Sequence, residues 1–224
     1  MTPVPHEAEP RYASRGSLKL LHALDTFDLD VQGCVCADFG CSTGGFTDVL
    51  LRRGAARVYS VDTAYGQLDY RLRTDERVTV MERTNALHAT PPDEDRPSII
   101  VMDLGWTRQA RAVPAALMWL VDDPNARIVS LIKPHYELDK AQFEAEAERG
   151  VLAPERAEAI AQAVAADAPA WGARVLAITA SPVLGGAAGS RKRGKRKNAD
   201  KVKGGGNVEY LALMARTESM GEDG

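Results

Sequence analysis

Four apolar runs in this chain each stop at a single charged residue. The runs, with their closing charges, are Cys34 to Asp38, Val58 to Asp62, Ile99 to Asp103 and Ile128 to Lys133. Continuous apolar runs are typical of parallel strands covered by helices on both faces. The carboxyl ends of such strands meet at one edge, where open α/β sheets bind their ligands. The pattern therefore predicts three carboxylates and one lysine at a single ligand-binding edge.

Strand and helix patterns alternate along the rest of the chain. Strands are predicted near 34–39, 57–62, 78–82, 98–103, 127–132, 173–180 and 207–215. Helices are predicted from Ser14 or Ser17 to about Phe27 and near 45–53, 66–73, 111–121, 139–148 and 154–168. The alternation predicts an α/β fold with a right-handed, doubly wound and mostly parallel sheet. The last segment follows a long loop without an intervening helix, so we expect it to run antiparallel to its neighbour.

Length and composition fit one domain. The chain has 224 residues, and 45% of them are hydrophobic, which is enough for one continuous core. No apolar stretch approaches the ~20 residues that a membrane span needs, and the polar N-terminus lacks the apolar core of a signal peptide. The three cysteines have no histidine or second cysteine pair to complete a metal site. We therefore expect a soluble, cytoplasmic protein with no metal and no membrane partner.

The net charge of −3 conceals a strong asymmetry. Residues 190–203 contain eight basic side chains and one acidic one, so this segment carries +7 and the remainder of the chain −10. A basic loop on an acidic body favours contact with RNA or DNA. The alternative is a disordered, solubilising insertion, which the neighbouring glycines also favour. The side chains predicted to bind RNA here are Arg191, Lys192, Arg193, Lys195, Arg196 and Lys197.

A glycine-containing loop follows the first predicted strand. Its glycines have a G-x-x-x-G-G spacing from Gly40 to Gly45, with Asp38 just before them and Asp62 at the end of the next strand. That second position is where a ribose-binding acid belongs in dinucleotide and adenosyl folds. A dinucleotide pyrophosphate would be repelled by Asp38, whereas S-adenosylmethionine carries positive groups that Asp38 and Asp103 can offset. The charges therefore favour S-adenosylmethionine as the cofactor.

Two more polar residues are predicted at this edge. Asn85 follows the third strand, where it is placed to hydrogen-bond an adenine edge or to act as a polar turn residue. Lys133 ends an apolar strand, where a lysine is costly unless it is paired or used. It either forms an ion pair with Asp103 or activates an acceptor hydroxyl. The second role requires a neutral amine, which burial or a nearby cation such as Lys19 would favour.

These residues give the chain a resemblance to a known family. Lys19, Asp103, Lys133 and Glu209 resemble the K-D-K-E tetrad of the FtsJ-like ribose 2′-O-methyltransferases. The surrounding sequence is similar to the TlyA, or haemolysin-like, branch of ribosomal RNA methyltransferases. The similar segments are 14–20, 42–50, 57–62, 65–68, 82–85, 131–134 and 206–209. They follow the family's order over nearly the whole chain.

The resemblance implies a Rossmann-like methyltransferase fold with seven strands, S-adenosylmethionine as donor and a ribose 2′-oxygen as acceptor. The expected partner is RNA, in the form of ribosomal RNA or a ribosomal subunit. Lys133 would activate the hydroxyl with the help of Lys19, Asp103 and Glu209. The cofactor would be held by Asp38, Gly40, Cys41, Ser42, Gly44, Gly45, Phe46, Asp62, Asn85 and Asp103. We expect an N-terminal extension at 1–13 and a methyltransferase domain at 14–224, with a basic flexible loop at 190–206.

Three departures from the family pattern concern substrate recognition. The TlyA branch has an N-terminal S4-type RNA-binding domain, and this chain starts at the catalytic part. The D-x-S-F segment of the family is replaced by Asp103-Leu-Gly-Trp106. Trp106 either stacks on a flipped-out base or fills a gap between helices. The basic segment at 190–203 looks like an insertion close to Glu209, and it is a candidate replacement for the S4 domain.

Other functions remain open from the sequence. A membrane-active haemolysin would need a lysine-rich amphipathic helix with a broad apolar face, which we do not find in the sequence. A non-catalytic RNA-binding protein with a retained cofactor pocket is disfavoured by the intact tetrad. Base methylation would normally use an Asn/Asp-Pro-Pro-Tyr/Phe-like motif after the fourth strand, and that motif is missing.

Overall fold

A mixed seven-stranded sheet forms the centre of the computed structural model, which describes residues 12–185 and 206–217. The strands are β1 (Val35–Phe39), β2 (Arg57–Val61), β3 (Val78–Met81), β4 (Ile99–Met102), β5 (Arg127–Ile132), β6 (Ala173–Ala180) and β7 (Tyr210–Arg216). Their order across the sheet is β3-β2-β1-β4-β5-β7-β6. The first five pair in parallel, and β7 pairs antiparallel with both β5 and β6. The predicted fold class and the antiparallel last strand are confirmed.

Helices cover both faces of this sheet. They are α1 (Ser17–Thr26), α2 (Gly45–Arg52), α3 (Tyr70–Arg73), α4 (Gln109–Trp119), α5 (Pro134–Glu137), α6 (Lys140–Glu146) and α7 (Pro154–Asp167), followed by a 3-10 turn at Ala168–Trp171. One core cluster packs α1 and α2 on the sheet, and a second packs α4 and α7 on the opposite face. Because both faces are covered, polar groups of the parallel strands reach solvent mainly at the strand ends. This arrangement positions the site described below.

Three elements differ from the sequence prediction. The helix predicted at 66–73 forms only as α3, because Asp69 caps it by accepting the backbone N–H of Arg71 at 2.9 Å. The last strand begins at Tyr210 rather than 207. Asn207 instead bridges to another loop, accepting from the Leu152 N–H and donating to the Gly150 carbonyl, both at 3.0 Å. The short helix α5, which has a proline in its first turn, was not predicted.

The start of α1 also differs. Neither Ser14 nor Ser17 occupies the N-cap position, which is Gly16, and no side chain caps this helix. Ser17 is buried, and its hydroxyl donates to the Gly45 carbonyl at 3.0 Å. The serine therefore ties α1 to the start of α2 instead of capping its own helix.

None of the helices within the described ranges is long and apolar enough to cross a bilayer. The basic side chains predicted to bind RNA, from Arg191 to Lys197, lie outside the described residues. Most of the predicted extension at 1–13 also lies outside them.

Candidate active site

Four elements bring the tetrad residues to one edge of the sheet. Asp103 directly follows β4, Lys133 directly follows β5, and Glu209 directly precedes β7. Because β7 runs antiparallel to β5, its first residue lies at the edge where the parallel strands end. Lys19 reaches the same edge from the first turn of α1. Residues separated by up to 190 positions in sequence are therefore neighbours in the fold.

The four side chains form a row in which acids and amines alternate. Lys19 Nζ donates to Glu209 Oε2 at 2.6 Å and lies 3.7 Å from Asp103 Oδ2. Lys133 Nζ binds the other oxygen of Asp103, Oδ1, and donates to the Leu104 carbonyl at 3.2 Å. The row, Glu209–Lys19–Asp103–Lys133, carries no net formal charge. Such compensation is what groups removed from water require.

Electrostatics within the row act most clearly on Asp103. Burial alone would raise the pKa of this carboxyl, but the ammonium groups of Lys133 and Lys19 outweigh it and lower the pKa below its ordinary value. Asp103 is therefore a carboxylate at neutral pH. It is the one acid in the row that contacts both amines.

Glu209 has a different place from the one expected. Glu209 forms its ion pair with Lys19 and not with Lys133, the residue that it is expected to help; Asp103 is the acid of the row that pairs with Lys133. Gly185 packs directly on the Glu209 carboxylate, so a Cβ at this glycine would collide with Oε1. The Lys19–Glu209 pair is thereby closed off, with only 11% and 4% of the two side chains exposed.

Two adjoining cavities border the row and hold most of the residues predicted to bind the cofactor. The larger, of about 610 Å³, is lined by Gly40, Ser42, Asp62, Asn85, Asp103 and Lys133, among others. The smaller, of about 270 Å³, is lined by Asp38, Gly40, Cys41, Ser42, Gly45, Phe46 and Asp103, with Ser14 and Arg15 from the segment before α1. Gly40, Ser42 and Asp103 belong to both cavities. The reacting end of the row therefore opens into this space.

Gly40 allows the loop after β1 to approach Asp103 closely. Its φ is +87°, and a Cβ here would lie 2.6 Å from the Asp103 carbonyl oxygen. A side chain is therefore excluded on two grounds. Gly44, also predicted as a cofactor residue, lines neither cavity; it is the N-cap of α2 and faces Leu68 and Leu72.

Asp62 follows β2 and holds the loop that carries Ser42. Its Oδ2 accepts from the Ser42 backbone N–H at 2.8 Å, and its Oδ1 accepts from the Ala64 N–H at 2.7 Å. Each carboxylate oxygen has two lone pairs, so both keep acceptor capacity toward the larger cavity. This leaves Asp62 able to bind a ribose hydroxyl from the position predicted for it.

Asp38 is the penultimate residue of β1, inside the strand predicted near 34–39. It is fully buried, and its Oδ2 accepts from the backbone N–H of Thr47 at 2.9 Å and from the Thr47 hydroxyl at 2.7 Å. Its Oδ1 has no hydrogen-bond partner among the described residues. Burial raises the pKa of Asp38 to about 7, against the lowering effect of the Thr47 bonds. An unpartnered acid in a cavity wall fits a cationic ligand, such as the α-ammonium of S-adenosylmethionine.

Asn85 is a turn residue at the wall of the larger cavity. Its Oδ1 accepts the Leu87 backbone N–H at 3.0 Å, which makes it a turn residue, and it also lines the larger cavity beside Ala86 and Leu87. The side-chain amide is therefore held at the cavity wall by its own turn.

An exposed tryptophan and a half-buried tyrosine stack on each other near the Lys133 end of the row. Trp106 is 76% exposed and stacks on Tyr136 with ring centroids 4.9 Å apart and planes inclined by 27°. The alternative that Trp106 fills a gap between helices is therefore wrong. Its φ is +58°, a left-handed conformation that is unusual for a bulky residue. The loop from Asp103 to Arg108 thus holds an indole ring outward at a cost in backbone energy.

Sequence reasoning missed a supporting network beneath this loop. Glu137 accepts the backbone N–H of Gln109, with Oε1 at 3.0 Å, and so caps α4 from outside. Burial raises the pKa of Glu137 to about 7. The buried Gln109 side chain accepts from the Ser130 hydroxyl at 2.7 Å and donates to the Leu131 carbonyl at 3.4 Å. The network connects the loop that carries Asp103 to the strand that precedes Lys133. In the sequence, the signal for this network is Glu137, an acid four residues after Lys133.

Comparisons with known proteins agree with this geometry. A sequence model of the family described as FtsJ-like methyltransferase matches residues 12–153. The 16S/23S rRNA (cytidine-2′-O)-methyltransferase TlyA of Mycobacterium tuberculosis is 39% identical over 215 residues, which are 95% of this chain and 71% of that protein. Hemolysin A of Brachyspira hyodysenteriae is 38% identical over 133 residues, or 58% of this chain and 54% of that protein.

A solved structure shows the same relationship. A provisionally named hemolysin from Streptococcus thermophilus has a TM-score of 0.78 at 34% identity, over 96% of this chain and 70% of that chain. The structural likeness thus extends well beyond the region that the family model matches. The chain belongs to the FtsJ-like methyltransferase family, for which S-adenosylmethionine is the methyl donor.

Proposed function

We propose that this chain transfers a methyl group from S-adenosylmethionine to a ribose 2′-oxygen of ribosomal RNA. The observation that carries the proposal is the row Glu209–Lys19–Asp103–Lys133, whose Lys133 end lines the same cavity as Gly40, Asp62 and Asn85. Lys133 shares the Asp103 carboxylate with Lys19 and lies beside a cavity large enough for a cofactor. An amine in this position is suited to activate a hydroxyl group. The cytidine named for the Mycobacterium relative is the acceptor nucleoside that we propose here.

In this proposal Lys133 acts on the acceptor. S-adenosylmethionine supplies an electrophilic methyl group on a sulfonium centre. Lys133, an ammonium in its ion pair with Asp103, would first release its proton to solvent; its amine would then take the proton of the 2′-hydroxyl that receives the methyl group from S-adenosylmethionine. Asp103 then stabilises the ammonium that forms, because its carboxylate already binds Lys133. Alignment of the two reactants supplies much of the acceleration, since the donor is already reactive.

The remaining members of the row fix this arrangement. Lys19 holds the second oxygen of Asp103, and Glu209 holds Lys19, so the carboxylate cannot rotate freely. In the cavities, Asp38 would accept from the α-ammonium and Asp62 from the ribose of the cofactor. Cys41, Gly45 and Phe46 would shape the wall of the smaller cavity.

RNA contacts are proposed at two places. The basic side chains from Arg191 to Lys197 would bind phosphates, and their position in sequence before Glu209 would bring RNA toward the row. Trp106, exposed at the mouth of the site, would stack on the flipped-out acceptor base.

The test is to incubate the protein with labelled S-adenosylmethionine and unmethylated ribosomal subunits, then map the alkali-resistant linkages of the RNA. A 2′-O-methyl group blocks cleavage at its own phosphodiester, so the label and one resistant linkage should coincide. Label in RNA without any resistant linkage would place the methyl on a base. No label in any RNA would favour the non-catalytic RNA-binding alternative.

A further inference from the structure

A third cavity, of about 720 Å³, lies outside the row and the cofactor cavities. Its walls come from the loop that carries Trp106 and from α5 and α6, and they include His135, Tyr136, Leu138 and Phe143. Asp103 and Lys133 are not among its lining residues. It is therefore next to the reacting centre and separate from it.

Aromatic rings form much of the wall of this cavity. The Tyr136 ring stacks on Trp106, and its centroid lies 4.2 Å from that of the His135 ring. The centroids of the His135 and Phe143 rings are 6.3 Å apart. Burial, together with the positive charge of Lys133, lowers the pKa of His135 to about 4, so its ring is neutral at neutral pH. These uncharged rings, whose planes are inclined to one another by 27° to 56°, offer stacking surface to a planar heterocycle and no positive charge to a phosphate.

The rim of the cavity carries two cations, Arg108 and Lys140, and two acids, Asp139 and Glu144. Arg108 lines the cavity, is exposed, and makes no side-chain hydrogen bond or ion pair within the described residues. Lys140 is also at the rim, but Glu144 lies 3.8 Å from its ammonium group. Arg108, whose charge also acts on the Glu137 carboxyl, is thus the rim cation that forms no ion pair among the described residues.

The cavity borders the proposed reaction site without sharing Asp103 or Lys133 with it. Lys133 Nζ lies 5.7 Å from the centroid of the Tyr136 ring, so one side of the aromatic wall borders the amine that would act on the acceptor ribose. Consecutive nucleotides in single-stranded RNA are joined by one phosphate. Arg108 lies two residues after Trp106 in the same loop, and both residues line the cavity. A strand that places its ribose at Lys133 would bring an adjacent base to this wall.

We propose that this cavity binds the nucleobase next to the methylated nucleotide, on the ring of Tyr136, with Arg108 on the joining phosphate. The inference rests on the proposed function, because it takes the acceptor to be RNA. It adds a second base-binding position to the one proposed for the flipped-out base at Trp106. The enzyme would then select its target by a dinucleotide rather than by the acceptor nucleoside alone.

A matched pair of variants tests the proposal. Tyr136→Leu keeps an apolar side chain and removes the ring, whereas Tyr136→Phe keeps the ring and removes the hydroxyl. Stacking of a base on an aromatic ring corresponds to a change of about 5- to 150-fold in affinity. We expect Tyr136→Leu to raise KM for unmethylated ribosomal subunits within this range and to leave kcat nearly unchanged. Tyr136→Phe should keep the wild-type KM, as should the control Tyr70→Leu, an exposed ring on α3.

A binding measurement decides the cavity independently of catalysis. RNA heptamers with a central cytidine carry 2-aminopurine on its 5′ or its 3′ side, and stacking on Tyr136 should quench the fluorescence of one of the two. Tyr136→Leu should restore that fluorescence. Absence of quenching at both positions, an unchanged KM for Tyr136→Leu, or a fall in kcat alone would each overturn the proposal. If wild type transfers no methyl group, the proposed function fails, while the quenching still decides whether a base binds here.

Discussion

The two ends of the acid–amine row use the same residue type in opposite ways. Lys19 lies between two carboxylates, Glu209 and Asp103, and is closed off under Gly185. Lys133 shares Asp103 with Lys19, donates to the Leu104 carbonyl, lies 5.7 Å from the centroid of the Tyr136 ring and lines an open cavity; it has no second carboxylate among the described residues. An enclosed amine whose charge is balanced by two carboxylates stabilises the fold. An amine at a cavity wall that shares one carboxylate is available to a substrate. The closed end therefore fixes the carboxylate that the open end uses.

Removing Asp103 should produce the largest effect, because this acid joins both ends. In Asp103→Asn the two amines lose the carboxylate between them, and breaking a buried ion pair costs about 3–5 kcal/mol of unfolding free energy. Methyl transfer should fall by about 10²- to 10⁴-fold, as for loss of proton-transfer catalysis. Urea unfolding and single-turnover transfer measure the two losses.

The control for that variant is Asp95→Asn, which removes an exposed partner of Arg57. Exposed ion pairs contribute about 0–1 kcal/mol, so stability and transfer should stay near wild type. Wild-type methyl transfer by Asp103→Asn would show that the row has no role in catalysis. Lys133 and Lys19 would then not differ in function.

Breaking the closed end alone should affect stability more than chemistry. Among the described residues, Glu209→Gln leaves Lys19 with one acid, Asp103 at 3.7 Å, and we expect a loss of roughly 1–3 kcal/mol of unfolding free energy. Transfer at saturating substrates should fall less than in Asp103→Asn. Denaturant unfolding at pH 7 measures the first effect, and Asp25→Asn, at an exposed pair with Arg53, is the control. A kcat loss as large as that of Asp103→Asn, with unchanged stability, would reverse the roles of the two ends.

The cavity at the open end can be probed through Asp62. Asp62→Ala removes the acceptor for the Ser42 N–H and for the proposed ribose hydroxyl. A hydrogen bond to a charged group is worth about 1.5–3 kcal/mol, so affinity for S-adenosylmethionine should fall about tenfold to a hundredfold. Titration calorimetry measures it. Unchanged affinity would separate this cavity from cofactor binding.

The smallest effect concerns pH and Asp38. Its pKa of about 7 in the free protein should fall when a cation binds beside it, so binding releases a proton near neutral pH. Affinity for S-adenosylmethionine should therefore weaken as pH falls below about 7, by at most about tenfold per pH unit. Asp38→Asn should flatten this dependence and leave only the titration of the cofactor itself. A wild-type profile that is flat between pH 7 and 5.5 would contradict the assignment of Asp38.

The sequence predicts well which residues lie at the ligand-binding edge of the sheet. The length of an apolar run and the charged residue that ends it can both be read from adjacent positions in the chain. Asp62, Asp103 and Lys133 each follow a strand as expected, since a charge is first tolerated where a covered strand ends. Asp38 differs because Thr47 satisfies one of its oxygens inside the core. A side-chain hydrogen bond also explains the short helix α3, because Asp69 caps it and the helix begins at Tyr70 rather than at 66.

The order of the row could not be predicted in the same way. Which amine pairs with Glu209 depends on the insertion of β7 between β5 and β6, a long-range pairing that no local pattern encodes. The membership of Lys19 and Glu209 came from the family resemblance and not from periodicity. The exposed position of Trp106 depends on a left-handed backbone in its loop, which an aromatic residue gives no reason to expect.

The most direct test of the account uses Lys133→Ala. Cofactor affinity by calorimetry and single-turnover methyl transfer to unmethylated ribosomal subunits are measured on the same preparation. The account predicts affinity for S-adenosylmethionine within about threefold of wild type and transfer reduced by about 10²- to 10⁴-fold. Wild-type transfer, or a loss of transfer that is fully explained by lost cofactor binding, would contradict the claim that Lys133 acts on the acceptor hydroxyl.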